Sequence, residues 1–155
     1  MQIKLHWHEP IELGSSGTIR QTFKNFDFKT IPNVAGIYIF YRQTKSGEEE
    51  ALYVGQSQNI RERFKQHSNS LKLVEGLEDT PQGKKMFVFA EIKVRKDCLE
   101  YALDQAERGY IQYLLDEDHP LLNKKLYLDK FDTIVSEGDN LIGLVSDDID
   151  VFSKY

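Results

Sequence analysis

Short stretches rich in β-branched and aromatic residues divide the chain into predicted strands. The strongest runs from Gly36 to Arg42, where nearly every residue favours extended backbone. A polar turn separates it from a second apolar run, Ala51 to Val54, which predicts a β-hairpin with a long connection. Residues 85–94 alternate apolar and other side chains and predict a third strand. Residues 3–7 alternate in the same way and predict a short strand before the hairpin.

Three segments predict helices. Asn59 and Glu62 resemble a capping box ahead of a narrow apolar stripe, and a second short helix is predicted from Ser70 to Glu78. Asp97 and Glu100 predict the N-cap of a long helix that ends near Leu115. The order of elements therefore predicts an α+β fold, in which a small three-stranded antiparallel sheet is flanked by helices.

Composition is that of an ordinary folded protein, with 40% apolar and 29% charged residues in a chain of 155. We predict an N-terminal extension at 1–30, a central domain at 31–128 and an acidic C-terminal extension at 129–155. No apolar run approaches the roughly 20 residues that span a bilayer. The single Cys98 cannot form a disulfide within the chain. We therefore expect no membrane span and a cytoplasmic location.

Charge is distributed unevenly along the chain. Residues 129–155 hold seven acids and two lysines, which accounts for the net charge of −5. Residues 56–96 hold nine Lys and Arg against five acids, and such a local basic face can bind a phosphate backbone. We expect the acidic segment to fold near that face and compete with DNA, or to dock a protein partner. The alternative is a solubilising strand pair far from the site.

One carboxylate stands at the edge of an apolar helical stripe. Glu107 follows Leu103 by four residues and precedes Tyr110 by three. A carboxylate at that position must be solvated, paired or bound to a metal ion. An ion pair with Arg108 or Lys124 is one interpretation, and a ligand to Mg²⁺ is the other, because Mg²⁺ is often held by one or two carboxylates plus phosphate.

Cationic and phenolic side chains precede Glu107 in the chain. Arg63 and His67 are four residues apart and share a helix face, where the guanidinium can stabilise phosphoryl charge and the imidazole can relay protons. Arg61 and Lys65 form a solvated cationic face or contact phosphate. Two strand tyrosines, on neighbouring strands of the hairpin, can direct their hydroxyls to one side of the sheet.

The motifs Gly36-Ile37-Tyr38 and Tyr53-Val54-Gly55, followed in order by single polar residues, resemble the GIY-YIG nuclease family over residues 31–125. Gln56 stands where some branches of the family carry a phosphate-binding lysine. The resemblance implies contacts to nucleic acid from Gln56, Ser57, Arg61 and Lys65. It implies a catalytic set of Tyr38, Tyr53, Arg63, His67, Glu107 and Asn123.

The resemblance also implies a chemistry. We expect a Mg²⁺-dependent DNA endonuclease with a one-metal site on Glu107, in which Mn²⁺ can substitute for Mg²⁺. Tyr38 is the first choice as general base, assisted by Tyr53 and His67, while Asn123 braces the site. A role in repair or in restriction is left open. The alternative is a nucleic-acid-binding or regulatory module with the same fold that does not cleave.

Overall fold

The computed structural model describes residues 1–122, 129–138 and 142–153. The first half of the fold comprises β1 (Gln2–Trp7), β2 (Ile11–Gly14), α1 (Ile19–Asn25), β3 (Gly36–Gln43), β4 (Glu49–Ser57), α2 (Ile60–Ser68) and α3 (Leu71–Glu78). The second half comprises β5 (Lys84–Ile92), α4 (Leu99–Asp116), β6 (Asp129–Gly138) and β7 (Asp148–Ser153).

The strands form one sheet in the order β4-β3-β5-β1-β6-β7, and β2 also pairs with β5. The predicted hairpin and third strand are confirmed, because β3 pairs antiparallel with both β4 and β5. The prediction of only three strands is wrong. Strands from both ends of the chain extend the sheet: β1 pairs antiparallel with β5 and parallel with β6. The division into residues 1–30, 31–128 and 129–155 stays a prediction.

Both faces of the central strand β3 are buried, which is why its sequence is almost continuously apolar. Ile37 and Ile39 point into a core that α4 covers. Tyr38 and Phe40 point to the opposite face, into a second core that contains side chains of α1, α2 and α3. Gly36 permits close packing at the start of β3, because a Cβ there would overlap the backbone carbonyl of Ala90. The sheet is therefore the middle layer, with α4 on one face and α1, α2 and α3 on the other.

The predicted cap at Asn59 is confirmed, and the predicted second helix begins at Leu71 with Ser70 as its N-cap. The Asn59 side chain accepts from the Glu62 backbone N–H at 3.2 Å, and the Ser70 hydroxyl accepts from Leu73 at 3.4 Å. The predicted cap at Asp97 is wrong. A 3₁₀ turn at Lys96–Cys98 precedes α4, and the Asp97 carboxylate accepts instead from the Arg95 guanidinium at 3.1 Å.

The acidic C-terminal extension contributes to the core of the fold. Ile134 and Ile149 are buried on the side of the sheet that α4 covers, and so is Leu144 from the β6–β7 connection. That connection also returns to β4, where the Gly143 N–H donates to the Glu49 carboxylate at 2.8 Å. The sheet thus curls around α4. Since β6 and β7 lie beyond β1, the arrangement favours the strand-pair alternative over a segment that covers the basic face.

No helix in the described part of the chain is both long and apolar enough to span a bilayer.

A buried hydroxyl ties the C-terminal extension to the rest of the fold. The Ser136 hydroxyl lies 3.0 Å from the Trp7 indole nitrogen, which donates to it, and 2.5 Å from the Tyr110 hydroxyl. Burial raises the pKa of Tyr110, so its hydroxyl is protonated at neutral pH. One side chain of β6 therefore satisfies polar groups of both β1 and α4.

We expect Ser136→Ala to lower the free energy of unfolding by about 1–3 kcal/mol, because two buried polar groups lose their shared partner. Urea unfolding measures the change. Ser46→Ala is the matched control, since the exposed Ser46 hydroxyl lies 2.9 Å from the neighbouring Thr44 hydroxyl at the surface, and it should change stability by less than about 0.5 kcal/mol. Equal stability of the two variants would contradict this role for Ser136.

Candidate active site

Aromatic and cationic side chains converge where α2 packs on the sheet. Tyr38 and Tyr53 lie on the same face of β3 and β4, with their rings stacked at 6.3 Å between centroids. Arg63 and His67 lie one helical turn apart on α2, and the His67 ring is 5.4 Å from the Tyr53 ring. The predicted convergence of the two phenols on one side of the sheet is therefore observed, together with the guanidinium and the imidazole.

Gly55 makes room for this cluster. It lies directly opposite Tyr38 in the hairpin register, and a Cβ at this position would overlap the Tyr38 phenol. The Tyr38 ring consequently lies over bare backbone at the edge strand of the sheet. The glycine of the second motif is thus required by packing and not by its backbone φ, which any residue can adopt.

The Tyr38 hydroxyl is the centre of the hydrogen-bond network. The Arg63 Nε–H donates to it at 3.4 Å, and it lies 2.5 Å from His67 Nε2. A guanidinium can only donate, so the phenol oxygen accepts from Arg63. The phenol donates its own proton to His67 Nε2 in the tautomer of the neutral imidazole that carries its proton on Nδ1.

Burial controls the protonation of these groups. Desolvation raises the pKa of Tyr38 far above its usual value; the Arg63 hydrogen bond opposes this, and the charges of Tyr53 and Glu107 add to it. Desolvation, and then the charge of Arg63, lowers the pKa of His67 to about 4. The bond to Tyr38 raises the pKa of Arg63 despite partial burial. At neutral pH the site therefore holds a neutral phenol, a neutral imidazole and a permanent cation.

Glu107 approaches from the other side of the edge strand. It lies on α4 with 8% of its surface exposed, and its Oε2 accepts from the Gln56 side-chain amide at 3.1 Å. Gln56 pairs with Ile37 in the hairpin register, so it points to the α4 side while its neighbour Gly55 faces the phenols. The carboxylate is near enough to Tyr38 to raise its pKa. The contact between Gln56 and Glu107 was not predicted, although the alternation of side chains along β4 implies it.

The donor set suits a metal ion that takes most of its ligands from outside the protein. Within the described residues, no group of three His, Cys, Asp or Glu side chains forms a cage for a metal ion. A single buried carboxylate fits Mg²⁺, which commonly keeps several waters and binds phosphate oxygens as well.

The remaining candidates lie around this cluster. Arg61 donates to the backbone carbonyls of Ile31 at 2.5 Å and Lys29 at 3.3 Å, so its guanidinium joins α2 to the preceding loop. The Lys65 ammonium lies 5.7 Å from the Phe28 ring centroid.

Two further candidates complete the set. The Ser57 hydroxyl exchanges hydrogen bonds with the backbone of Asn59, at 2.8 and 2.9 Å. Asn123 lies outside the described residues.

Comparison with protein families agrees with this geometry. The model of the GIY-YIG catalytic domain matches residues 34–117, which include both glycine-tyrosine motifs, α2 and Glu107. The chain belongs to the GIY-YIG family. A GIY-YIG domain is a nuclease-type domain, so the family assignment indicates an enzyme of nucleic-acid hydrolysis. Comparison with curated proteins and comparison with solved structures found no match. The elements β1, β2 and α1, and the strands β6 and β7, lie outside the segment that the family model covers.

The buried neutral imidazole predicts a pH dependence of stability. The pKa of His67 is about 4 in the folded state and about 6.5 in the unfolded state, so the unfolded chain binds the additional proton between these values. The contribution to stability is intact above about pH 6.5 and is lost as the pH falls towards 4. Relative to His67→Gln, the free energy of unfolding of the wild type should fall by about 3 kcal/mol between about pH 6.5 and about pH 4.

Urea unfolding of both proteins at a series of pH values measures this difference. The stabilities of wild type and His67→Gln should differ by a constant amount above about pH 7 and converge on acidification. Parallel curves down to about pH 4 would show that His67 titrates normally in the folded protein.

Proposed function

We propose that this GIY-YIG protein is a Mg²⁺-dependent DNA endonuclease that hydrolyses a phosphodiester bond through a one-metal site. The observation that carries the proposal is the Tyr38 phenol, whose oxygen contacts both Arg63 and His67 at a sheet edge that Glu107 also reaches. A general base, a cation for the transition state and a metal ligand are the groups that such a hydrolysis needs.

Glu107 is the residue proposed to hold Mg²⁺, or Mn²⁺ in its place. When bound there together with the scissile phosphate, the ion supplies Lewis-acid stabilisation of the charge that develops on the leaving oxygen. The Gln56 amide fixes the orientation of the carboxylate through its hydrogen bond to Oε2. The remaining ligand positions are left to water and to phosphate oxygens.

Tyr38 is proposed to activate the attacking water. Its raised pKa makes the free phenolate scarce at neutral pH, so the phenol must give up its proton as it accepts one. His67 Nε2 is placed to receive that proton, and the phenol oxygen then takes the proton of the water. Tyr53 packs against both rings and keeps them aligned. Asn123 is proposed to brace the site.

Arg63 is proposed to neutralise charge on the scissile phosphate. Its Nε–H donates to Tyr38 and its Nη1 donates to Gln66 at 3.1 Å, so the guanidinium is oriented before the substrate arrives. A guanidinium fixed in advance stabilises the transition state without reorganising during the reaction. Arg61, by contrast, is proposed to support binding through the position of α2.

A non-cleaving nucleic-acid-binding module is the second candidate. The observation that favours it is the same Gln56 amide, because a donor on Glu107 Oε2 competes with a metal ion for that oxygen. The two candidates differ in whether the protein nicks DNA when Mg²⁺ is present.

Glu107→Gln is the direct test. It keeps the size of the side chain but removes the charge, so we expect Mg²⁺-dependent nicking of supercoiled plasmid to fall by at least about 10². Binding of Mg²⁺ alone, followed by calorimetry, should be lost as well. Glu117→Gln, at the exposed C-cap of the same helix, is the control and should retain both. Full nicking and unchanged Mg²⁺ binding in Glu107→Gln would exclude the metal role, and a wild type that never nicks would favour the second candidate.

Tyr38→Phe tests the proton path. Loss of the hydroxyl should reduce the single-turnover cleavage rate by about 10²–10⁴, the range for a general base. Tyr41→Phe, on the same strand but in the core that α4 covers, should leave the rate unchanged.

The wild-type rate should also be flat from about pH 6 to about pH 8, because His67, with a pKa of about 4, is already neutral there. A rate that rises about tenfold for each pH unit would instead assign the base to an ionised phenolate.

A further inference from the structure

Two clefts border the site, and their linings differ in charge. The first, here named the α1 cleft, lies between α1 and the junction of α2 and α3, and its polar lining consists of Arg20, Lys24, Ser68, Asn69 and Ser70. The second, here named the α4 cleft, lies beside β4 and the start of α4, and its charged lining consists of Asp97, Glu100 and Asp104. The described residues that line the α1 cleft include no carboxylate, and those that line the α4 cleft include no cation.

We infer that the α1 cleft binds the phosphate backbone of the DNA strand that runs away from the scissile bond, an inference that rests on the proposed endonuclease function. The surface begins directly beside the reacting groups, because Ser68 follows His67 in the chain. A strand whose scissile phosphate contacts Arg63 needs to follow the end of α2 by only one turn to enter the cleft.

The chemistry of the α1 cleft suits phosphate. Lysine ammonium groups, hydroxyls and side-chain amides are the groups that commonly contact DNA phosphates without reading sequence. Lys24 is exposed and makes no ion pair with any residue that the structure describes. Arg20 is bound by the Glu78 carboxylate at 2.6 Å, so Lys24 is the cation of the cleft lining that is available to a ligand.

The cleft is built into the fold and does not depend on a loop. The Arg20–Glu78 pair joins α1 to α3 through three hydrogen bonds. Phe23 of α1 packs edge-on against Phe64 of α2 at 5.6 Å between centroids. These contacts hold α1 beside the helix that carries Arg63 and His67.

The α4 cleft lies on the other side of the site from the α1 cleft, and its carboxylates disfavour a phosphate backbone there. It begins at Gln56, the residue that contacts Glu107, and its carboxylates would face the DNA across a short distance. Arg95 pairs with Asp97 and Arg108 pairs with Asp104, but neither cation lines the cleft. The carboxylates of the α4 cleft repel phosphate and the α1 cleft attracts it, so the bound strand leaves the scissile bond towards the α1 cleft.

The inference assigns a function to α1, which the family segment at residues 34–117 does not include. The test is equilibrium binding of a fluorescein-labelled DNA duplex to the full chain, measured by anisotropy in EDTA over a series of salt concentrations. EDTA prevents cleavage, so binding is measured separately from catalysis. The variants are Lys24→Ala, which removes the charge, and Lys24→Glu, which reverses it. Lys45→Ala is the control, since Lys45 is exposed in the β3–β4 turn at the far end of the hairpin.

Lys24→Ala should bind more weakly and should reduce the slope of log affinity against log salt by about 0.9, the value for one lost phosphate contact. Lys24→Glu should bind more weakly still, because a carboxylate repels phosphate, and Lys45→Ala should match the wild type. Unchanged affinity and slope in both Lys24 variants, with a wild type that binds and nicks DNA, would overturn the α1 cleft and leave the endonuclease intact. Failure of the wild type to bind DNA at all would overturn both.

Discussion

The packing of Tyr38 over Gly55 is the constraint on which the site depends. Because residue 55 has no side chain, the phenol can lie flat at the sheet edge with its hydroxyl between α2 and the end of β4. Any Cβ there would displace the ring, and with it the oxygen that Arg63 and His67 both contact. One missing methyl group therefore determines the position of the hydrogen-bond network that follows.

The site lies at the junction of two cores that the sheet otherwise separates. The tyrosines, Arg63 and His67 belong to the face that α2 covers, while Glu107 belongs to the face that α4 covers. Only at an edge strand can groups from both faces approach one another, and β4 is the edge strand on this side. Burial on the α2 side keeps the imidazole neutral and the phenol protonated, whereas the carboxylate stands at the rim of the other core.

Local patterns predicted the part of the fold that lies close together in sequence. The hairpin, α2, α3 and the third strand follow from apolar patterns, from turn residues and from the Asn59 cap, whose bond to Glu62 spans three residues. The alternation at residues 3–7 also predicted a strand where β1 lies, but not its place in the sheet, because β1 and β6 pair across most of the chain and β6 has weak apolar periodicity. Asp97 was misassigned since a 3₁₀ turn intervened before α4.

The candidate site likewise divides into features that the sequence predicts and features that depend on tertiary contacts. The resemblance to the family named residues that the structure brings together, including Tyr38, Arg63 and His67. The hydrogen bond from Gln56 to Glu107 depends on which face of β4 Gln56 occupies and on how α4 packs against that face, 51 residues later in the chain. Protonation states depend on burial, which a motif does not encode. The sequence predicted an acidic C-terminal extension, but the buried Ile134 and Ile149, which pack in the core, determine where the segment lies in the fold.

The parallel pairing of β1 with β6 sets an order of events during translation. Gln2 is aligned with Thr133, so the first strand leaves the ribosome about 130 residues before its neighbour. At roughly 5–20 residues per second, this delay is on the order of ten seconds. Throughout that interval Trp7 lacks the Ser136 hydroxyl and one flank of β1 has no strand beside it. The nascent chain consequently presents an open strand edge to chaperones and to other chains, and contacts of such sequence separation close slowly.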